Sequence, residues 1–220
     1  MNRQTTLYGR YGKRSLDFVV SLLALMVLSP LLVVLAILVR VLLGGPVLFR
    51  QERTGINKQS FTILKFRTMT NACDANGNLL SDSQRLTRFG NFLRSTSLDE
   101  LPELWNVVLG EMSLVGPRPL LPRYNSSYTE RESRRFELLP GITGWAQING
   151  RNDLAWDDRL ECDVYYVERL SMWLDVKILL LTIVKVMRRD NVEVDPERTF
   201  GNLDEERAAI SSNSCAATPH

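Results

Sequence analysis

The sequence predicts a helix-rich α+β, membrane-associated domain with a small β-hairpin and an N-terminal re-entrant membrane helix. Three observations predict it. A nearly unbroken apolar run from Leu16 to Leu43 is interrupted in its middle by Ser29–Pro30 and flanked on both sides by basic residues. Two short segments of strand character follow, around a polar turn. The second half of the chain is dominated by segments of helical character. With 220 residues the chain can bury one sizeable core and carry an attached segment.

The apolar run comes first. A straight helix over Phe18–Val39 would extend about 33 Å, enough to cross a bilayer. Pro30 removes a backbone donor and crowds the preceding turn, so a break at Ser29–Pro30 is expected, with the Ser29 hydroxyl serving a freed carbonyl. Arg3, Arg10, Lys13 and Arg14 precede the run, and Arg40, Arg50, Arg53 and Lys58 follow it. Basic flanks face the cytoplasm, and a hairpin that enters and leaves by one face satisfies both. A kinked span and a signal peptide are the alternatives. The signal peptide lacks its short apolar core and small-residue cleavage site.

Gly44–Gly45–Pro46 ends the run. Val47–Gln51 and Phe61–Met69 read as the strands of a hairpin, and residues 71–84 as a surface loop. Arg85–Arg94, Glu103–Leu109, Ser127–Leu138, Trp156–Glu168 and Leu170–Arg188 read as helices. Gly116–Pro117–Arg118–Pro119 reads as a rigid loop, with punctuation at Pro140–Gly144 and a turn at Asn149–Asn152. The apolar residues of the last helix are expected in the core, since nothing on its polar side is strongly basic before Arg188–Arg189; lying partly in the membrane interface is the alternative. The division is a basic segment at 1–15, the membrane helix at 16–43, a folded domain at 44–194 and a polar, disordered tail at 195–220.

Composition narrows the chemistry. Five acids against two arginines give residues 195–220 a charge of −3, which leaves +5 on the rest of a chain whose net charge is +2. A basic excess beside an apolar anchor suits membrane lipids and phosphate ligands; no nucleic-acid module accompanies it. Cys73, Cys162 and Cys215 form neither a CxxC pair nor a disulfide framework. The one histidine is His220, at the chain's end, so no histidine-based triad or metal cage belongs to the fold. Catalysis must rest on carboxylates, Lys, Arg, Tyr or hydroxyls.

The most informative stretch is Ser97–Leu98–Asp99–Glu100–Leu101–Pro102–Glu103. Pro102 belongs in a first helical turn, which puts Asp99 and Glu100 at a helix N-terminus. Capping is the plain reading of such acids. Around them stand Lys65 and Arg67 at the strand end, Arg94 one turn upstream, Arg118 between two prolines and Arg151 after a glycine turn. Arginines on defined segments around paired carboxylates favour a phosphate-handling site. Mg²⁺, held at Asp99 and Glu100, fits an oxygen-only donor set.

KFRTM (Lys65–Met69), RLTRFGNFLRSTSLDELPELWNVVLGEMSLVGPRP (Arg85–Pro119) and PGITGWAQINGRN (Pro140–Asn152) resemble the motifs of the monotopic phosphoglycosyl transferases, the bacterial sugar transferase family. The resemblance runs from about Lys13 to Val194 and includes the Ser–Pro pair of the anchor. It implies a catalytic domain over 44–194, on the cytoplasmic face of the bacterial inner membrane. It further implies a nucleophilic Asp99, a supporting Glu100 and a magnesium-dependent reaction. A UDP-sugar would donate a phosphosugar to Asp99 with release of UMP, and undecaprenyl phosphate would accept it, as the first membrane step of glycoconjugate assembly. Lys65, Arg67, Arg94, Arg118 and Arg151 are the matching phosphate or nucleotide contacts. Neither the sugar nor the oligomeric state is readable, and a homo-oligomer is compatible with the sequence.

Overall fold

The computed structural model of the chain describes residues 8–150, 154–188 and 202–208. A π-helical turn, Tyr8–Gly12, leads into α1, Lys13–Leu42. α1 keeps a helical backbone through Ser29 and Pro30, so the chain does not leave the helix where a break was expected. Pro30 has no N–H to give the Met26 carbonyl, and the Ser29 hydroxyl donates to that oxygen instead at 2.8 Å. The orphan acceptor is satisfied locally, so the helical path continues.

One stripe of α1 faces the rest of the chain: Lys13, Asp17, Ser21, Leu35 and Val39, at helical spacing. Both ends are docked. Lys13 Nζ meets Asp175 Oδ2 at 2.7 Å, and Ser113 Oγ donates to Asp17 Oδ2 at 2.6 Å. At the other end Leu35, Val39 and Leu43 pack with Phe66 and Leu93. The outward face, including Met26, Val27, Val33, Ile37 and Val41, is exposed. α1 is long and apolar enough to cross a membrane.

The hairpin forms as β1, Leu48–Thr54, antiparallel to β2, Ser60–Phe66, in a register that pairs Phe49 with Lys65 and Arg53 with Phe61. The helix expected over 85–94 is split into α2, Asp82–Arg85, and α3, Arg88–Ser95. Thr87 caps the second piece, its Oγ1 accepting from Gly90 N–H at 3.0 Å. α4, Glu103–Leu109, ends at Gly110 in a left-handed conformation, φ 88°. The charged segment 127–138 is not one helix: a single turn, α5, Glu130–Ser133, is flanked by 3₁₀ turns. α6, Trp145–Asn149, α7, Trp156–Glu168, and α8, Met172–Arg188, complete the described chain up to residue 188.

Ser113–Val115, for which no element was expected, and Gly141–Thr143, within the punctuation at Pro140–Gly144, pair as short parallel strands, β3 and β4. Glycine makes the pairing possible. A Cβ on Gly141 would stand 2.0 Å from Gly116 N, and one on Gly144 would stand 2.1 Å from Gly116 O. Gly116 N–H donates to Thr143 O at 2.8 Å, and Gly141 N–H to Pro117 O at 2.9 Å. The backbones therefore interlock without side chains between them, and Arg118 leaves from this clasp. Gly141→Ala should cost about 3 kcal/mol through overpacking, measured as a lowered urea midpoint, and a wild-type midpoint would remove the clasp argument.

Two further expectations are corrected. α8 buries only Leu174, Asp175 and Ile178, while Trp173, Leu180, Ile183 and Met187 are exposed. Apolar residues encircle this helix, and one stripe suffices to meet the core, packing with Val115, Ile148, Tyr166 and Leu170. Within the segment expected to be disordered, residues 203–208 are helical. Leu203 is fully buried among Leu120, Tyr124, Trp156 and Leu160, which explains the docking of an otherwise polar stretch.

Candidate active site

Asp99 and Glu100 lie in a 3₁₀ turn, Leu98–Glu100, directly before α4, with Pro102 at the helix N-cap. Ser97 enters the turn with φ 55°, an uncommon conformation for a residue with a Cβ. α4 is fastened on both sides. The Asn106 side chain accepts from Leu64 N–H at 3.1 Å and donates to Thr62 O at 2.8 Å, joining α4 to the strand that carries Lys65. Arg14 of α1 donates to Val107 O at 2.5 Å and Val108 O at 2.9 Å, satisfying carbonyls at the end of α4. The anchor helix and the carboxylate turn are thus parts of one rigid assembly.

The two carboxylates have opposite surroundings. Glu100 Oε1 accepts from Lys65 Nζ at 2.6 Å and from Arg118 Nη2 at 2.9 Å. Burial opposes its ionisation, but Arg118 and Lys65 outweigh burial and hold its pKa at about 2. Asp99 is 9% exposed, and its carboxylate makes no hydrogen bond or ion pair among the described residues. Burial and the adjacent Glu100 push its pKa up to about 6, against the pull of Lys65, Arg94 and Arg118. One carboxylate is clamped and the other is free. A mere cap would be engaged by backbone N–H groups; Asp99 is not.

Both acids line a cavity of about 920 Å³. Of the basic residues singled out above, Lys65, Arg67, Arg94 and Arg118 line it too, while Arg151 lies outside the described residues. Their roles divide. Arg94 Nε donates to Thr68 Oγ1 at 3.0 Å, and Arg118 has a half-exposed side chain. Arg67 is buried, tying Met69 O at 2.6 Å and Gly45 O, so it largely holds the loop and leaves only Nη2 without a partner.

Arg53 and Arg159 also line the cavity, each with a buried Nε lacking a partner, and neither was assigned to the site above. Burial, and then the charge of Arg118, lowers the pKa of both. Crowded cations of this kind are stabilised by an anion. Arg53 lay beyond the expected strand Val47–Gln51; the strand runs on to Thr54, and its register puts Phe49, Gln51 and Arg53 on the face of Lys65. Arg159 had no local signal, because α7 reaches the cavity only through tertiary packing. Glu103, also missed, is a third acid beside Asp99 and Glu100, 3.1 Å from Lys65 Nζ, and burial together with Glu100 pushes it up to about 7.

A free acid beside a clamped one, ringed by arginines and bolted to a long apolar helix, defines an enzyme site for anionic, phosphate-bearing substrates. Residues 8–189 match the family model described as bacterial sugar transferase, and the chain belongs to that family. It is 47% identical over 196 residues to the uncharacterized sugar transferase EpsL of Bacillus subtilis (strain 168), covering 87% of this chain and 97% of that protein. It is 41% identical over 183 residues to the UDP-glucose:undecaprenyl-phosphate glucose-1-phosphate transferase of Xanthomonas campestris pv. campestris, covering 78% of this chain and 38% of that one. The protein of the same name in Escherichia coli (strain K12) is 41% identical over 188 residues, covering 80% and 40%. The chain thus spans nearly all of EpsL but less than half of the two glucose-1-phosphate transferases.

Proposed function

We propose that the chain transfers a sugar 1-phosphate from a UDP-sugar to undecaprenyl phosphate through a covalent ester on Asp99. The observation that carries this reading is the free, buried Asp99 carboxylate beside a Glu100 held by two cations, in a cavity lined with arginine. Asp99 Oδ attacks the β-phosphorus, the phosphorus–oxygen bond to UMP breaks, and UMP leaves with the electron pair. A phosphate oxygen of the lipid then attacks the same phosphorus, frees Asp99 and leaves a diphosphate-linked sugar. A carboxylate nucleophile needs no general base once ionised, which agrees with a described fold without histidine. Arg118 and Lys65 hold Glu100 in place, and the arginines stabilise charge on the phosphoryl oxygens.

No group of three His, Cys, Asp or Glu side chains converges to cage a metal among the described residues. Mg²⁺ requires no such cage, since it takes one or two carboxylates together with substrate phosphates and water. Asp99 and Glu100 would hold it, the latter through the oxygen that Lys65 and Arg118 leave free. Bound there, it would neutralise phosphoryl charge.

The docking of both ends of α1 on one folded unit supports a shallow, monotopic insertion, and the basic flanks of the apolar run support the cytoplasmic face of the inner membrane, where the transfer would be the first membrane step of glycoconjugate assembly. Tags at residues 2 and 220 should both be protected in intact spheroplasts. Accessibility of one end would establish a span instead.

Incubation with UDP-sugar alone, followed by intact mass, tests the covalent step, and parallel rather than intersecting kinetic lines accompany it. Intersecting lines without an adduct would favour direct transfer in a ternary complex. Lipid binding without UMP release, indifferent to Mg²⁺, would mark a non-catalytic adaptor.

A further inference from the structure

Residues 202–208 lie past residue 189, where the family match ends, and yet they are fastened behind one wall of the cavity. Leu203 alone among them is buried, and it is fully so. A helix of six residues, 203–208, does not hold its own shape in water, so docking is what orders it. Polar contacts flank the leucine on both sides. Asn202 Oδ1 accepts from the Tyr124 hydroxyl at 3.1 Å and from the Arg123 guanidinium. Arg207 Nη2 donates to Glu132 Oε1 at 2.7 Å and to Asp157 Oδ1 at 2.5 Å. The segment therefore ties together residues 120–124, α5 and the start of α7.

Two of these stretches reach the cavity on their other side. Leu120 packs in the cluster that encloses Leu203 and also lines the cavity. It stands two residues after Arg118, and the backbone between them is held to β1: Pro119 O accepts from Arg53 Nη1 at 3.3 Å, and Leu120 O from Thr54 N–H at 2.9 Å. Trp156, in the same cluster, lies under Arg159, whose Cζ is 4.6 Å from the ring centroid. Arg159 Nη2 reaches Leu154 O at 3.4 Å, and its Nε is buried without a partner, so the indole face sets where this guanidinium lies. Tyr124 meets the same indole edge-on, with ring centroids 5.6 Å apart. Without the Leu203 side chain, Leu120, Tyr124 and Trp156 would back onto a void and relax into it. The guanidinium groups they support would shift with them.

We propose that residues 202–208 form a strap, with Leu203 as its plug, that positions Arg118 and Arg159 for the diphosphate of the donor. This rests on the UDP-sugar reading of the cavity and adds Leu203 and Arg207 as positioning residues that touch no substrate.

The test titrates UDP, the part shared by every UDP-sugar, into the full-length chain in nanodiscs with Mg²⁺ present. Leu203→Asp puts a charge into an apolar seat and undocks the strap, so UDP should bind about 10-fold more weakly, the loss of one charge-assisted hydrogen bond. Leu203→Met refills the seat and should keep wild-type affinity. Arg207→Gln removes a second fastening and should weaken UDP about 3-fold. Turnover separates placement from folding. A smaller folded fraction lowers kcat and leaves KM unchanged, whereas displaced arginines raise the KM for UDP-sugar. Unchanged UDP affinity in Leu203→Asp overturns the proposal. So does a large loss of Tm with KM unchanged, which assigns Leu203 to the core alone. Where Leu203→Asp does not fold, Arg207→Gln decides, and wild-type UDP affinity there overturns the proposal as well. A wild-type chain that binds no UDP sinks the UDP-sugar reading itself, and the proposal with it.

Discussion

Asp99→Asn should abolish the phosphosugar adduct and lower turnover by about 10⁴-fold or more, while making the fold more stable. The two effects share a cause. A carboxylate nine-tenths buried without a partner is costly to ionise, and its pKa of about 6 against the ordinary 3.8 records that cost. For a carboxyl raised in the folded state, the stabilising contribution is fully present below the unfolded pKa and is lost as pH rises through the folded one. The stability gap between Asp99→Asn and wild type should therefore open as pH rises from about 4 to 7. The upper limit is about 3 kcal/mol, and the gain should be of order 1–2 because the new amide is itself unpaired. Thermal melts at pH 4 and pH 7.5, with intact mass after exposure to UDP-sugar, measure both. An Asn variant that still forms the adduct would falsify the nucleophile assignment. Adduct formation in wild type should also fall as pH drops through about 6, since only ionised Asp99 attacks. Glu103, pushed up to about 7, titrates nearby, so the same inflection in Glu103→Gln assigns it to Asp99.

Arg135→Met should destabilise the chain by about 3–5 kcal/mol. Arg135 and Asp163 are both nearly inaccessible, with Arg135 Nε and Nη2 donating to Asp163 Oδ2 at 3.1 and 2.8 Å. Removing the cation leaves a buried carboxylate that already titrates high because of burial, with Arg135 as its chief counterweight. The same guanidinium donates to Arg118 O at 2.6 Å, so it fixes the backbone that presents Arg118 to Glu100. Loss of activity should therefore exceed what reduced folding explains, while Arg135→Met/Asp163→Leu recovers stability better than activity. Urea midpoints beside UMP release at low denaturant separate the two. A single variant within about 1 kcal/mol of wild type would show that the pair is dispensable.

Local chemistry is what the sequence conveyed well. The alternation of Phe61–Phe66 placed the hairpin, and the Asp99–Glu100–Pro102 spacing placed the carboxylates before α4. The Ser29 hydroxyl was identified as the partner of the carbonyl orphaned at Pro30, and it donates to Met26 O in a backbone that stays helical across the pair. α8 was read as core because its polar side is not strongly basic before Arg188–Arg189, but its apolar residues lie all round the helix, and composition does not say which of them meet a neighbour.

By itself, the sequence determined a histidine-poor chain with one long apolar segment near its start and an adjacent Asp–Glu pair set among arginines, since residue types and short spacings dictate those features. Only the tertiary structure decided that Glu100 is clamped and Asp99 free. It alone brought Arg53 and Arg159 to the same cavity and docked both ends of α1 on one body. The physical reason is that ionisation, burial and hydrogen-bond satisfaction depend on groups distant in the chain, and no local pattern encodes which of them will meet.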